Sequence, residues 1–266
     1  MLLVEGSLDA QVLRPFLQRP PFTVERGGPK NGLPHEARRH IGGAYLRDRD
    51  FDSEPPSERS SPVDCDKEIH GWTWTRHEIE NYLIEPALFA AILRVDAEAW
   101  SDALLDATAR LSAYQAARWT IGQARRVLPP TYKLTTAPRN CSDDFKLPAD
   151  LTRPAQESWL IEHTGTFMRR IVPILTEDSL RGDFEARIAA FEETVVGDIS
   201  EAIVWFSGKD LIGACRSWLA EHALGSPSTV VARIRDGLIE NPQLAEAHLP
   251  EWVSLRERLW QLADSI

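Results

Sequence analysis

The sequence predicts an α/β fold in which a mostly parallel sheet at the N-terminus precedes a large α-helical C-terminal part. Before Pro86, short apolar runs alternate with amphipathic segments, and strands that alternate with helices usually pair in parallel through right-handed crossovers. After Pro86, apolar residues recur with helical spacing almost to the end of the chain. We therefore expect an α/β core over residues 1–95 and a helical region over residues 96–266.

The N-terminal elements follow from short apolar runs and the residues that end them. Residues 1–5 are too few and too apolar for anything but a strand, and Ser7 with Asp9 can cap the amphipathic run that follows. Glycines and a change of period mark the later boundaries. Five elements are predicted in this order: a strand at 1–5, a helix at 8–17, a strand at 22–25, a helix at 33–41 and a strand at 44–46.

The segment that joins this core to the helical part contains one more predicted strand. Residues 52–66 are rich in proline, serine and charge, which predicts an exposed loop. Residues 69–76 alternate with a period of two and run on into residues 78–83, which is typical of a strand. We expect this strand to flank the first three.

The helical part shows the 3.6-residue spacing of apolar positions that amphipathic helices require. Alanine, leucine, glutamate and arginine dominate it, and these residues favour helices. Seven helices are predicted, over residues 87–93, 100–127, 157–175, 183–195, 209–222, 228–238 and 249–263.

The overall composition limits the class of protein. Of the 266 residues, 43% are hydrophobic, which is enough for a packed core. The formal charge of −10 means that a nucleic-acid partner would have to be held by local basic groups or by metal. Three widely spaced cysteines give neither a disulfide framework nor zinc-ligand spacing, so a reducing cytoplasm is the expected location. No apolar run approaches the ~18 residues of a membrane span, and we expect no membrane association.

Acidic residues gather at the predicted strand ends. Asp48, Asp50 and Asp52 alternate directly after the third strand, and Glu5 follows the first. Because the carboxyl ends of parallel strands meet at one edge, these carboxylates should lie close together and resist ionising unless they share a hard cation. The pattern predicts an acidic metal site to which Glu80 adds another oxygen ligand. The alternative is a solvated acidic turn, which often follows a strand.

Such a site could bind one or two Mg²⁺ or Mn²⁺ ions. The ions would polarise a phosphoryl oxygen and lower the pKa of a bound water, which favours phosphodiester cleavage. Two other protein classes place Asp-x-Asp after a strand. Phosphatases of the haloacid-dehalogenase type need Thr or Val where this chain has Asp52, and receiver domains lack a long helical extension. Both fit the sequence less well.

Four motifs in a fixed order resemble the Toprim domain of the overcoming-lysogenization-defect (OLD) family of nucleases, and in particular its stand-alone DUF4435 branch. The resemblance implies a Rossmann-like Toprim fold and a metal-dependent endonuclease. Residues 86–204 resemble the family in helical character only. The motifs are Val4-Glu5-Gly6 with Asp9, the acidic run from Asp48 to Asp52, the segment from Arg76 to Leu83, and the segment from Phe206 to Leu211.

The resemblance implies metal-site roles for the acids. Glu5 matches the first Toprim acid, which serves as a metal ligand or general acid/base, and Asp48 with Asp50 matches the metal-binding Asp-x-Asp. Asp52 would contribute from the periphery. Glu80 matches an acid that helps to build a second metal site.

The resemblance also implies that residues 204–222 return to the active site. Lys209 lies where the family has a basic residue near the scissile phosphate, although it could equally be a surface lysine at a helix start. Glu78 is a substitute for Glu80 if the predicted strand continues that far, because the two would then share a face. Asp9 more simply caps the first helix or forms a salt bridge.

The resemblance further implies partners. The substrate would be DNA or tRNA, and the protein would be the effector of an anti-phage defence system. The chain has no Gly-x-x-x-x-Gly-Lys-Ser/Thr loop, so a separate ATPase would control it. The protein could also form a homodimer. The alternative function is a non-catalytic module that docks on the ATPase. A primase- or topoisomerase-like enzyme fits least, because the sequence shows neither a strand-transfer tyrosine context nor a nucleotide site.

Other polar and aromatic residues are expected to be structural. Trp72 and Trp74 could stack on a base, but an alternating aromatic strand is more often core or partner surface. His70 and His77 have no partner at metal-ligand spacing. Six arginines could contact phosphate, although scattered arginines usually form a solvated face: Arg38, Arg39, Arg47, Arg49, Arg169 and Arg170.

Overall fold

The computed structural model describes residues 1–17, 19, 22–66, 68–127, 149–164 and 176–265. A five-stranded sheet lies near the N-terminus, with the order β2-β1-β3-β5-β4. All neighbouring strands run parallel except β4, which pairs antiparallel with β5 at the edge. The strands are β1 Leu2–Val4, β2 Val24–Arg26, β3 Ala44–Arg47, β4 Val63–Asp66 and β5 Gly71–Thr73.

Helices make up most of the remaining described chain, with a 3₁₀ turn at Lys30–Gly32 and a π-helical turn at Leu160–Thr164. The α-helices are α1 Ser7–Leu17, α2 Leu33–Ala37, α3 Glu80–Leu83, α4 Pro86–Leu93, α5 Ala97–Val127, α6 Arg153–Trp159, α7 Glu177–Thr194, α8 Ile199–Trp205, α9 Gly208–Ala214, α10 Arg216–Glu221, α11 Pro227–Glu240, α12 Gln243–His248 and α13 Pro250–Asp264. None of the helices in the described residues is both long and apolar enough to cross a membrane.

The predicted α/β class, with a mostly parallel N-terminal sheet and a large helical C-terminal part, is confirmed. Two predictions about the sheet were wrong. Val63–Asp66, in the predicted loop, forms the edge strand β4, and its partner β5 covers only Gly71–Thr73. Glu80 begins helix α3, so the argument that Glu78 shares a strand face with it also fails.

The helix predictions place most elements but misplace several ends. The helix predicted over residues 209–222 is two helices, α9 and α10, which meet at Cys215. Helices α8 and α12 were not predicted. The predicted helix at 157–175 contains the end of α6 and the π-helical turn, and its remainder lies outside the described residues, as do Arg169 and Arg170.

The chain forms two compact units, and neither is continuous in sequence. The first contains residues 1–50, 55–103 and 203–266, and therefore includes the whole sheet together with the C-terminal helices. The second contains residues 51–54 and 104–202. In the second unit, the Phe51 ring packs edge-on against Trp119 with centroids 5.2 Å apart, and the guanidinium of Arg187 lies over the same indole.

Candidate metal centre

The ends of the central strands bring the first two predicted acids together. Val4 of β1 lies opposite Leu46 of β3 in the parallel ladder, so Glu5 and Asp48 follow at the same sheet edge. The backbone N–H of Asp48 donates a hydrogen bond to Oε1 of Glu5 at 3.1 Å. The parallel register therefore positions both carboxylates without any contribution from the helical part.

Asp50 occupies a turn just beyond β3. Its φ of 51° is left-handed, which aspartate tolerates better than most residues. The N–H of Asp50 donates to the carbonyl of His77 at 2.8 Å, which joins this turn to the segment after β5. On its other side, Nζ of Lys30 lies 3.0 Å from Oδ2 of Asp50.

Arg49 is the residue that fixes the turn from inside. It is only 1% exposed, so its assignment to a solvated face was wrong. Its Nε donates to the carbonyl of Thr75 at 3.0 Å, and its Nη2 donates to the carbonyl of Val204 at 2.6 Å. A buried guanidinium that bonds to two distant carbonyls holds the turn firmly between them.

A fully buried asparagine ties the segment after β5 to the start of α9. Oδ1 of Asn81 accepts from the N–H groups of Glu78 and Gly208, and its Nδ2 donates to the carbonyls of Ile203 and Phe206. Gly208 is needed for this approach, because a Cβ there would lie 2.6 Å from the backbone nitrogen of Asn81. Segments far apart in sequence thus meet at the site.

Glu78 is the carboxylate that this junction holds most tightly. Its Oε1 accepts from Oγ of Ser207 at 2.7 Å and from the N–H of Lys209 at 3.0 Å, and its Oε2 lies 2.7 Å from Nζ of Lys209. Ser207 also caps α9 by accepting from the N–H of Asp210. Nζ of Lys209 lies 3.4 Å from Glu80, so two carboxylates share one ammonium.

One group of side chains has the geometry of a metal site. One ligand atom each from Asp50, His77 and Glu78 lies within 4.8 Å of the others. His77 is 1% exposed, and its assignment to a purely structural role overlooked this proximity, which depends on the hydrogen bond between the two loops. The carboxylate oxygens suit Mg²⁺ and Mn²⁺, whereas the imidazole nitrogen favours Mn²⁺ or another first-row transition metal over Mg²⁺.

Burial and mutual repulsion shift the acids at the strand ends. Burial, with added repulsion from Asp50 and Asp9, raises the pKa of Glu5 to about 7 despite the nearby Lys30. Burial, then repulsion from Asp9, Asp50 and Glu5, raises the pKa of Asp48 well above its usual range. These shifts are typical of carboxylates that need a cation to ionise fully.

The remaining acids divide into two kinds. Burial raises the pKa of Asp9 to about 6, and burial with repulsion from Glu78 raises that of Glu80 to about 7. Burial also opposes ionisation of Glu78, but Lys209 and its other donors outweigh it and lower the pKa. In return, Glu78 and Glu80 outweigh the effect of burial and raise the pKa of Lys209. Glu78 and Lys209 are therefore a charged pair at neutral pH.

The residues fit a divalent cation by an independent criterion. Within the described parts of the chain, Oδ1 of Asp48 is buried and has no hydrogen-bond partner. A buried carboxylate oxygen without a donor is costly, and a cation would satisfy it. Two lysines, Lys30 and Lys209, lie near six carboxylates that interact with one another at this edge. The six are Glu5, Asp9, Asp48, Asp50, Glu78 and Glu80.

The structure brings together five of the predicted residues, Glu5, Asp48, Asp50, Glu80 and Lys209. Asp52 belongs to the second compact unit, where it forms an ion pair with Arg125, and we do not assign it to the site. Trp72 and Trp74 are buried, as expected for core residues.

Sequence reasoning missed three contributions. Lys30 and His77 are not part of any sequence motif. Their place at the site is seen only in the structure, where both lie near Asp50 in the turn after β3. Asp9 was expected to cap α1 or form a salt bridge, but its buried carboxylate interacts with the acids of the site. The neighbouring glycine was the one available signal: a Cβ at Gly6 would lie 2.5 Å from Oδ2 of Asp9.

No protein-family model matches this chain, and no curated protein is significantly similar to it. The resemblance to Toprim nucleases of the OLD family therefore stays a prediction that depends on the four motifs and on the site itself.

Proposed function

We propose that this protein is a Mg²⁺- or Mn²⁺-dependent Toprim endonuclease that cleaves phosphodiester bonds in DNA or tRNA. The observation that carries the proposal is the cluster of six interacting carboxylates, against two lysines, at the carboxyl edge of the sheet. Glu5 and Asp48 are held there with raised pKa values, and Oδ1 of Asp48 lacks a donor within the described residues. Such an arrangement is unfavourable for folding alone and favourable for binding metal.

Glu5, Asp48 and Asp50 would hold the first ion, and His77 with Glu80 would extend the site towards a second. The ions supply Lewis acidity towards a phosphoryl oxygen and its attacking water. In the metal-free protein the pKa of Glu5 is about 7, so an ion that binds its carboxylate near neutral pH would displace a proton. This agrees with the role that the Toprim resemblance implies for it.

Lys209 would stabilise negative charge on the phosphate. Its pKa is raised by Glu78 and Glu80, so the ammonium stays protonated, and its side chain is 58% exposed. An exposed ammonium that is anchored at one side can reach a substrate without leaving the site. Glu78 then acts by positioning Lys209, because both of its oxygens already accept hydrogen bonds from residues 207–209.

The wider role depends on the resemblance. It suggests an anti-phage effector that a separate ATPase holds inactive until infection. The negative overall charge supports a need for metal or a partner in binding nucleic acid, since the general field of the protein repels phosphate.

The test incubates purified protein with supercoiled plasmid and with total tRNA, each with Mn²⁺ or EDTA. Asp48→Asn is the inactive variant, and Asp64→Asn, which removes an exposed carboxylate paired with Arg258, is the matched control. We expect metal-dependent cutting of one substrate by the wild type and by the control, but not by Asp48→Asn.

Two results would overturn the proposal. Equal cutting by Asp48→Asn would show that the site is assigned wrongly. If metal raises the melting temperature but neither substrate is cut, even with the partner ATPase present, the protein is the non-catalytic docking module instead.

A further inference from the structure

We propose that Lys30 is a phosphate-binding residue of this site, held on Asp50 until a divalent cation takes its place. The inference depends on the proposed function, because it assigns the substrate phosphate of that site a second cationic contact in addition to Lys209. No motif in the sequence marks Lys30, and the case for it comes from position, contacts and charge.

The chain places Lys30 at the active edge through the loop after β2. Strand β2 pairs in parallel with β1, so its carboxyl end lies beside that of the strand carrying Glu5. The loop then turns at Gly28, whose φ of 95° favours glycine, and enters the 3₁₀ turn that begins with Lys30. Gly27 allows close packing, because a Cβ there would lie 2.6 Å from the Leu33 side chain.

The contacts hold the ammonium of Lys30 against Asp50. Nζ of Lys30 lies 3.0 Å from Oδ2 of Asp50 and 3.4 Å from the carbonyl of Arg49. Its side chain is 15% exposed, against 58% for Lys209, so it is held inside the site. Its charge also opposes the rise in the pKa of Glu5, so it acts on both strand ends.

A divalent cation and this ammonium compete for the same oxygens. An ion that binds Asp50 would repel Nζ at such a distance, and the flexible four-carbon stem allows the ammonium to move. The nearest new anion is the phosphate that the metal brings. Lysine is a good point-charge ligand for phosphate, so the displaced ammonium becomes a substrate contact.

The first test separates competition from simple structural support. Lys30→Met removes the charge and keeps most of the apolar stem, and Lys30→Arg keeps the charge. We expect Lys30→Met to bind Mn²⁺ about tenfold more tightly by calorimetry, because its competitor is gone, and to cut about 100-fold more slowly. Lys30→Arg should restore most of the cutting. Arg153→Met, which breaks an exposed pair with Glu185 in the second compact unit, is the control and should change neither quantity.

The opposite directions of these two effects make the test decisive. If Lys30→Met weakens Mn²⁺ binding and cutting together, Lys30 only supports the turn and the proposal fails. Unchanged cutting with tighter metal binding would also overturn the phosphate role.

The second test needs no cutting, so it distinguishes this proposal from the proposed function. Binding of a fluorescein-labelled oligonucleotide is followed by anisotropy with Ca²⁺ in place of Mn²⁺. We expect Lys30→Met to weaken this binding about tenfold, whereas Arg153→Met leaves it unchanged. If this loss is seen in a protein that never cuts, the endonuclease proposal fails while the role of Lys30 stands. Equal affinity of the wild type and Lys30→Met would refute the role of Lys30.

Discussion

Two buried acidic regions of the first compact unit are built in opposite ways. Glu251, at the start of α13, accepts from the N–H of Thr75 at 2.8 Å, from its Oγ1 at 2.6 Å, and from the hydroxyl of Tyr82. At the sheet edge, Asp48 lies among like charges and has an oxygen without a donor in the described residues. The carboxylate of Glu251 thus has three hydrogen-bond donors, whereas one oxygen of Asp48 has none among the described residues.

The two regions also differ in the interactions that act on the pKa in addition to burial. Burial raises the pKa of Glu251, but the hydrogen bonds from Thr75 and Tyr82 oppose the shift. Burial raises the pKa of Asp48 as well, and there the neighbouring carboxylates add to it. A buried acid with matched donors stabilises the fold, whereas a group of repelling acids is more typical of a ligand-binding site.

The largest expected effect concerns Glu5 at the sheet edge. Glu5→Gln should lower the rate of Mn²⁺-dependent cutting about 1000-fold, because it removes a negatively charged ligand of the proposed ion. Single-turnover cleavage of the preferred substrate measures it. Glu25→Gln, on β2 but exposed, is the control and should cut normally. Comparable loss in both variants would show that the effect is not specific to the site.

The next largest effect is expected from removing the hydrogen bonds of Glu251. Glu251→Ala should lower the free energy of unfolding by about 3 kcal/mol, because it strands the buried donors of Thr75 and Tyr82. Urea denaturation in EDTA measures the change. Glu257→Ala, at an exposed position of the same helix, should change it by less than about 0.5 kcal/mol. Equal stability of the two variants would contradict the structural role of Glu251.

The pH dependence of stability should show the raised pKa values of the acids at the sheet edge. Glu5 and Glu80 have folded-state pKa values of about 7, above the ordinary glutamate value of 4.5, so the folded state binds more protons between these limits. Stability is therefore highest below pH 4.5 as far as these groups are concerned, and it is lost as pH rises to 7. We expect a loss on the order of a few kcal/mol in EDTA, since solvent around the half-buried Glu5 reduces its share.

Saturating Mn²⁺ should reduce or reverse this pH dependence, since metal binds the ionised carboxylates and stabilises the folded state more as pH rises. Thermal denaturation at a series of pH values, with EDTA or with Mn²⁺, makes the comparison. Parallel curves under the two conditions would mean that the shifted acids do not bind the ion.

The smallest effect is a gain. Asp48→Asn should raise the free energy of unfolding in EDTA by about 1 kcal/mol, because it removes one of several repelling carboxylates. Asp64→Asn, whose carboxylate is 61% exposed, should stay within about 0.5 kcal/mol of the wild type. Destabilisation by Asp48→Asn would show that its carboxylate is satisfied in solution.

Sequence periodicity was sufficient for the sheet's parallel strands and for most long helices, because burial of apolar residues leaves a regular pattern along the chain. It failed for β4, whose sequence Val63-Asp64-Cys65-Asp66 is largely exposed and pairs on one side only. It also failed after β5, where Trp74 is buried in the aromatic core although the strand has already ended.

For the site, the acids that directly follow strands could be predicted, since strand order and direction alone put Glu5 and Asp48 together. Lys30, His77 and the anchoring role of Glu78 could not be predicted from spacing. Each depends on a contact between distant segments, such as the carbonyl of His77 that accepts from Asp50 or the start of α9 that receives Glu78. Such contacts leave no periodic signal in the sequence.

Hydrogen bonds in the first unit join residues 75–81 to residues 203–251, and the candidate site depends on these distant contacts. Asn81 bonds to the carbonyls of Ile203 and Phe206, and Thr75 bonds to Glu251. The loops that carry His77 and Glu78 can therefore find these anchors only after residues 203–251 have been synthesised, and pairing so distant in sequence is slow to form. A chain that stops before residue 203 lacks the partners of Asn81 and Glu78, so it cannot assemble the candidate site.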